Sequence, residues 1–223
     1  PSTNNLTIFY TTEGNVHSSE TGPVTLGLGN ELSPIQFNNM LCFTATYTSE
    51  REVYCKTSGG SVVRLTYVGV VDLVKVTEDE VFVVCYNMEE GRDDLRLYSV
   101  KYSQKEGDVR VIGDVEPVPL SQGIDLEIVG DCKFFTRFRQ SSSTNGYKGG
   151  TAEKVWVWCS SEAKARGFFL DYEGAVKTPK IWNERWMIVL SDMTEEGGVG
   201  IMNLHAFEIP EKEEEVRKTI KDR

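Results

Sequence analysis

The feature that most constrains this chain is a four-part phrase that recurs along it. Each unit reads as a first strand, a strongly apolar second strand, a third strand ending in polar residues, and an outer basic-apolar fourth strand. The apolar strands centre near Phe9, Phe43, Val83, Phe134 and Ile188, and the third strands near Val16, Val53, Leu97, Trp156 and Ile201. Fourth strands are expected at 24–28, 62–67, 109–112, 167–170 and 216–220. First strands are expected at 34–37, 70–76, 125–129 and 178–182, with none ahead of Leu6. Each series advances by roughly 35 to 60 residues, near the 40–50 of a four-stranded β-propeller blade.

The residues inside these runs are Val, Phe, Tyr and Trp, which suit a pleated, half-buried surface. Between them lie turn clusters such as Ser58-Gly59-Gly60, Glu89-Glu90-Gly91 and Glu195-Glu196-Gly197-Gly198, as an all-β chain requires. Helical periodicity is confined to 211–223, where Glu213/Arg217 and Glu214/Lys218 are spaced to pair on one face. A charged, frayed strand is the other reading of that end. A β-sandwich also produces short strands separated by turns, but five cycles in one strand order favour the propeller. The expected fold class is therefore all-β, a β-propeller of four-stranded antiparallel blades. About five blades are present, as an incomplete or open ring forming a single domain. Their approximate limits are 1–30, 31–69, 70–114, 115–172 and 173–223.

Composition narrows the function classes. The 223 residues carry a formal charge of −10, unlike a phosphate-backbone binder, so no nucleic-acid partner is expected. No apolar run approaches the roughly 20 residues that span a bilayer, and no secretory signal pattern opens the chain. It begins at Pro1, which suggests a piece cut from something longer. The five cysteines, Cys42, Cys55, Cys85, Cys132 and Cys159, are odd in number and widely spaced, with no CxxC pair. They read as reduced thiols packed as small apolar residues, pointing to an intracellular compartment. No metal or cofactor is expected.

A tract in the fourth unit carries a family resemblance. Gly146-Tyr147-Lys148-Gly149-Gly150-Thr151-Ala152-Glu153-Lys154-Val155-Trp156-Val157 resembles a characteristic segment in the first propeller of tricorn-type peptidases. The downstream stretches Leu170-Asp171, 176–179, 186–192 and 200–204 follow the same pattern. The close resemblance spans 131–204, and a looser one spans most of the chain. It implies a multidomain cytoplasmic peptidase assembled as a homo-oligomer, whose propellers gate and guide peptides while a distant serine-peptidase region does the chemistry. Independently of any family, Gly149-Gly150 suits a loop turning back into a strand. Lys154, Trp156 and Trp158 then alternate with Val155, Val157 and Cys159.

No catalytic residues emerge. The two histidines are His17 and His205, and there is no G-x-S-x-G elbow. His17 and Ser18, adjacent on a strand, would point to opposite faces. Acidic clusters such as Glu78-Asp79-Glu80 lie in turns, where solvated acids are the default. The local reversal of charge is 133–148, which contains Lys133, Arg137, Arg139 and Lys148 and no acid. At the mouth of a propeller such a stretch would attract carboxylates, including a peptide C-terminus. By the resemblance, a family arginine pair that anchors peptide carboxyl ends falls on Cys132 and Lys133. One charge is thus lost and the other becomes a lysine, which offers a point charge in place of a planar fork. The expected partners are peptides or partner proteins.

Overall fold

The computed structural model describes residues 9–12, 15–18, 22–23, 29–57, 59–86, 95–105, 108–118, 123, 125–138, 153–183, 185–194 and 199–209. Among these residues there is no helix, and nineteen strands form five antiparallel sheets. The chain divides into two compact units, Pro1–Val118 and Pro119–Arg223.

The first unit holds three sheets. One contains β1 (Phe9–Thr12), β2 (Asn15–Ser18) and β3 (Gly22–Pro23). The next contains β4 (Glu31–Phe37), β5 (Met40–Ala45), β6 (Glu52–Thr57) and β7 (Val62–Arg64). The third contains β8 (Val70–Val76), β9 (Glu80–Tyr86), β10 (Leu95–Lys105), β11 (Asp108–Val111) and β12 (Glu116–Pro117). The second unit holds β13 (Glu127–Val129), β14 (Cys132–Phe138), β15 (Glu153–Cys159) and β16 (Arg166–Gly167) in one sheet. Its other sheet contains β17 (Val176–Trp182), β18 (Trp186–Met193) and β19 (Val199–Glu208). In every sheet the strands lie side by side in chain order, save that β12 pairs β10 beyond β11, the up-and-down weave of a β-propeller blade.

Sequence periodicity locates most of these strands to within a few residues. The fourth strand of the third sheet differs. It is split, with β11 pairing Tyr102–Lys105 of the long β10 and β12 pairing Tyr98 and Ser99. The expected fourth strands at 24–28 and 216–220, and the expected helix at 211–223, lie outside the described residues.

Alternation along each strand builds the cores. In the first unit Met40, Cys42, Val53, Cys55, Val81, Val83, Tyr98 and Val100 join one buried cluster. The opposite side of β5 supplies Leu41, Phe43 and Ala45, which meet Val16 and Tyr54. In the second unit Phe134, Val155, Val157, Val176, Met187 and Val189 form the core.

Two first strands share a device that the sequence carries as Ser33-Pro34 and Thr178-Pro179. Proline has no N–H for the ladder, so it sits where pairing is already interrupted. The β4 ladder slips between Leu32 and Ile35, and the β17 ladder between Lys177 and Lys180. Ser33 and Thr178 take positive φ there, 51° and 55°. Each bulge turns a polar group toward the neighbouring sheet. Ser33 Oγ donates to the Asp72 carboxylate on β8. Thr178 N donates to Thr136 Oγ1 at 2.9 Å, and that hydroxyl donates to Asp125 Oδ2 at 2.7 Å. Burial raises the Asp125 pKa, although hydrogen bonds from Thr136 pull the other way.

The cysteines depart from the reduced-thiol expectation. Cys42 stands opposite Cys55 in the β5–β6 ladder, and Cys132 opposite Cys159 in the β14–β15 ladder. Both pairs are disulfides, with Cα atoms 4.0 Å and 3.9 Å apart. Direct opposition in an antiparallel ladder brings Cβ atoms close enough to bridge. Cys85 alone keeps a thiol, and it is buried. Because disulfides accumulate in oxidising compartments, the cysteines no longer argue for a reducing one.

Two buried carboxylates tie sheets and loops together. Glu52 on β6 is fully buried. It accepts from Arg64 at 3.0 Å, from Thr66 Oγ1 at 2.5 Å, and from the backbone N–H groups of Val68 and Gly69 at 3.2 Å and 3.1 Å. Glu31 on β4, also fully buried, accepts from Val16 N at 3.2 Å and from the Tyr47 hydroxyl. Burial, reinforced by that bond, pushes the Tyr47 phenol well above its ordinary range.

Candidate functional site

The candidate site is one face of the β14–β15 pair. Register decides what stands on it. Lys133 lies opposite Trp158, Phe135 opposite Trp156, and Arg137 opposite Lys154. Directly paired residues share a face. This face therefore carries three cations and three aromatic rings, while Phe134, Val155 and Val157 point into the core behind it. The alternation expected for 154–159 is thus observed.

The cations are stacked against the rings. Lys133 Nζ lies 5.4 Å from the Trp158 ring centroid, and Arg137 Cζ lies 5.0 Å from that of Trp156. A cation over an indole is attracted by the ring quadrupole, which also narrows its choice of rotamers. Both cations are partly exposed. Four residues apart on one strand, their backbones are about 13 Å apart. They present charge at two separate points of the face.

Lys154 plays a different part. It is 2% exposed, and its ammonium donates to the carbonyls of Tyr172 and Gly174 while lying 4.8 Å from the Tyr172 ring centroid. It anchors the 172–174 turn and presents no charge to solvent. Behind Trp156, a Cβ on Gly167 would come within 3.1 Å of the indole and 2.6 Å of Leu170, so β16 approaches the ring only because that residue is glycine. Sequence reading found Lys133 and Arg137 but missed the tryptophan platforms. Their signal was the matched alternation of Lys-x-Phe-x-Arg on one strand with Lys-x-Trp-x-Trp on the next. Arg139 and Lys148, and the 146–152 loop, lie outside the described residues.

The remaining candidates fall into structural roles. His17 stacks on Tyr10 with centroids 5.5 Å apart and is half-buried, whereas Ser18 is buried. The expectation that neighbouring residues face apart holds there. His205 stacks on Phe207 at 6.2 Å. The Tyr172 phenol, donating to Asp192 at 2.7 Å, is raised well above its ordinary range by burial first and by that carboxylate second. Among the described residues, one set of potential metal donors is brought together, although its two cysteines are joined as a disulfide and are not thiolate ligands in this state. Asp131, Cys132 and Cys159 have ligand atoms within 4.8 Å of one another.

Comparison with known proteins places the fold. No family model matches the chain, and no curated protein matches it. Solved structures do. The chain is similar to tricorn protease with a TM-score of 0.64 at 16% identity, over 93% of this chain and 21% of that one. It is similar to TolB from Acinetobacter baumannii with a TM-score of 0.58 at 11% identity, over 87% of this chain and 46% of that one. The chain therefore spans about a fifth of the first protein and less than half of the second. The resemblance to tricorn-type propellers is present in the fold.

Proposed function

We propose that this chain is a non-catalytic β-propeller domain that guides peptides to or from a catalytic domain outside it, in the manner of a tricorn-like peptidase. The observation that carries this reading is the row of aromatic-backed cations on the β14–β15 face. The likeness to a structure described as a protease supplies the context. An extended peptide rises about 3.3 Å per residue, so Lys133 and Arg137 would meet it about four residues apart. One point engages a terminal carboxylate or an acidic side chain, and the other a second acid or a carbonyl. Arg139 and Lys148 belong to the same basic stretch and add long-range attraction. The proposal carries with it a cytoplasmic setting, assembly as a homo-oligomer, and neither nucleic acid nor membrane as partner.

The test is direct. The purified chain, incubated with fluorogenic peptides, is expected to bind acidic peptides and to hydrolyse none. Hydrolysis that disappeared in His17→Ala would overturn the reading.

A second reading, a propeller that serves as a protein-interaction scaffold, is favoured by the last sheet. Trp182 and Leu204 are 59% and 73% exposed. By register they share a face with Trp186, Ile188 and Leu190. An apolar face of that kind suits a protein partner. Peptide binding that survives removal of the β14–β15 cations would favour it.

A further inference from the structure

We propose that reduction of the Cys132–Cys159 disulfide converts this corner of the fourth blade into a binding site for a thiophilic divalent cation such as Zn2+. Its ligands are the two thiolates and the Asp131 carboxylate, with water as the fourth. This goes beyond the peptide reading and does not depend on it.

The backbone sets up the three donors. β13 and β14 are joined by the two-residue turn Gly130-Asp131, with Val129 opposite Cys132. Gly130 takes φ of 57°, a positive value that a tight hairpin needs and that glycine adopts freely. The turn delivers Asp131 immediately before Cys132, and the β14–β15 ladder delivers Cys159 directly across from it. Asp131 Oδ1 lies 3.6 Å from Cys132 Sγ. The carboxylate is steadied from the other strand, because Ser160 Oγ donates to Oδ2 at 3.0 Å and Ser160 N donates to the Asp131 carbonyl at 3.2 Å. With the bridge closed, all three ligand atoms fall within 4.8 Å of one another, and opening it leaves the two sulfurs on directly paired strand positions. A tetrahedral zinc ion with bonds of about 2.0–2.3 Å to sulfur and oxygen requires donors held that close.

Access separates this pair from the other. Asp131 is exposed and Cys132 partly so, while Cys159 is 6% exposed, so a reductant or a cation reaches the bridge from the Asp131–Cys132 side. Cys42 and Cys55 are both fully buried. The same cross-strand arrangement therefore occurs twice, once with its Cys132 side partly exposed beside a carboxylate and once fully sealed, which provides an internal control.

The redox step balances with a dithiol as reductant. The Cys132–Cys159 S–S bond takes two electrons and two protons from the dithiol, which closes to its own disulfide. The two protein thiols then release their protons to solvent as the cation binds, because the metal ligand is the thiolate. Re-oxidation by a disulfide reverses the step and expels the ion. Sequence spacing hid the site, since its cysteines are 27 residues apart and only strand register joins them.

The experiment uses the full chain, oxidised or reduced with a phosphine, and Co2+ as a spectroscopic probe followed by Zn2+ competition. The reduced protein is expected to bind one ion per chain and show a thiolate-to-cobalt charge-transfer band, while the oxidised protein shows none. Cys42→Ser should retain the band and Cys132→Ser should lose it. Asp131→Asn, a change in an exposed turn, should weaken affinity by at least about tenfold, and mass mapping of alkylated cysteines confirms which bridge has opened. No ion bound by the reduced protein overturns the proposal. So does a band that persists in Cys132→Ser, or undiminished affinity in Asp131→Asn.

Discussion

Lys133 stands directly across the β14–β15 ladder from Trp158, with its ammonium 5.4 Å from the ring centroid. Four residues further along, Arg137, paired with Lys154, reaches diagonally over Trp156, its guanidinium carbon 5.0 Å from the ring centroid. The tryptophans are therefore supports for the charges as well as packing. Trp158→Leu should stay apolar but remove the quadrupole, part of the ring's bulk and the 3.0 Å bond from Nε1 to the Glu162 carbonyl, weakening binding of an acidic peptide by a few fold while costing about 1–2 kcal/mol of stability. Peptide titration beside a denaturant curve separates the two effects.

Glu52 is the buried charge with the most to lose. Its carboxylate meets Arg64, Thr66 and two backbone N–H groups from 66–69. Glu52→Ala strands all of these partners, and breaking a buried ionic network in this way costs about 3–5 kcal/mol. Glu52→Gln should recover part of the loss. Denaturant unfolding of the two variants reads the difference.

The cysteine pairing gives a count. Without reductant, thiol titration should find none accessible in the native chain and one, Cys85, after unfolding. With reductant, all five cysteines of the chain should react after unfolding. Loss of the Cys42–Cys55 cross-link, with a sequence separation of 13, should lower stability by up to about 3 kcal/mol, and loss of the longer Cys132–Cys159 loop, with a separation of 27, by somewhat more.

Alkaline pH should destabilise the fold through two buried acids. Burial, with Glu52 nearby, raises the Cys85 thiol from 9.0 to about 12. Burial, with Asp79 and Glu78 nearby, raises the Tyr102 phenol from 10.0 to about 12. The unfolded chain gives up these protons first, so its population is favoured once pH exceeds the unfolded values. Their contribution is complete below about pH 9 and declines as pH rises toward 12. Unfolding curves at stepped alkaline pH should show this decline, and Cys85→Ala should flatten its earlier part.

The strands were legible because each blade repeats one burial pattern. Val81, Val83 and Cys85 face one cluster, and Val155 and Val157 face another, as period-two alternation requires. The disulfides were not legible. Cys42 and Cys55 are brought together by register, and register depends on loop lengths that composition does not reveal. The bulges at Ser33-Pro34 and Thr178-Pro179 were visible only as prolines inside expected strands, without the positive φ or the contacts to Asp72 and Thr136. At the candidate site the charges of Lys133 and Arg137 could be read directly. Lys154 could not be separated from them, because only the fold shows its ammonium turned inward onto the carbonyls of Tyr172 and Gly174.

The most direct measurement is fluorescence anisotropy of a labelled acidic peptide with a free carboxyl end, titrated with wild type and with the Lys133→Ala/Arg137→Ala double variant. The account predicts binding by wild type that weakens with salt and falls at least about tenfold, or about 1.4 kcal/mol, in the double variant, with the unfolding curve nearly unchanged. Equal affinity in the two proteins, or no binding by wild type at low salt, would contradict it.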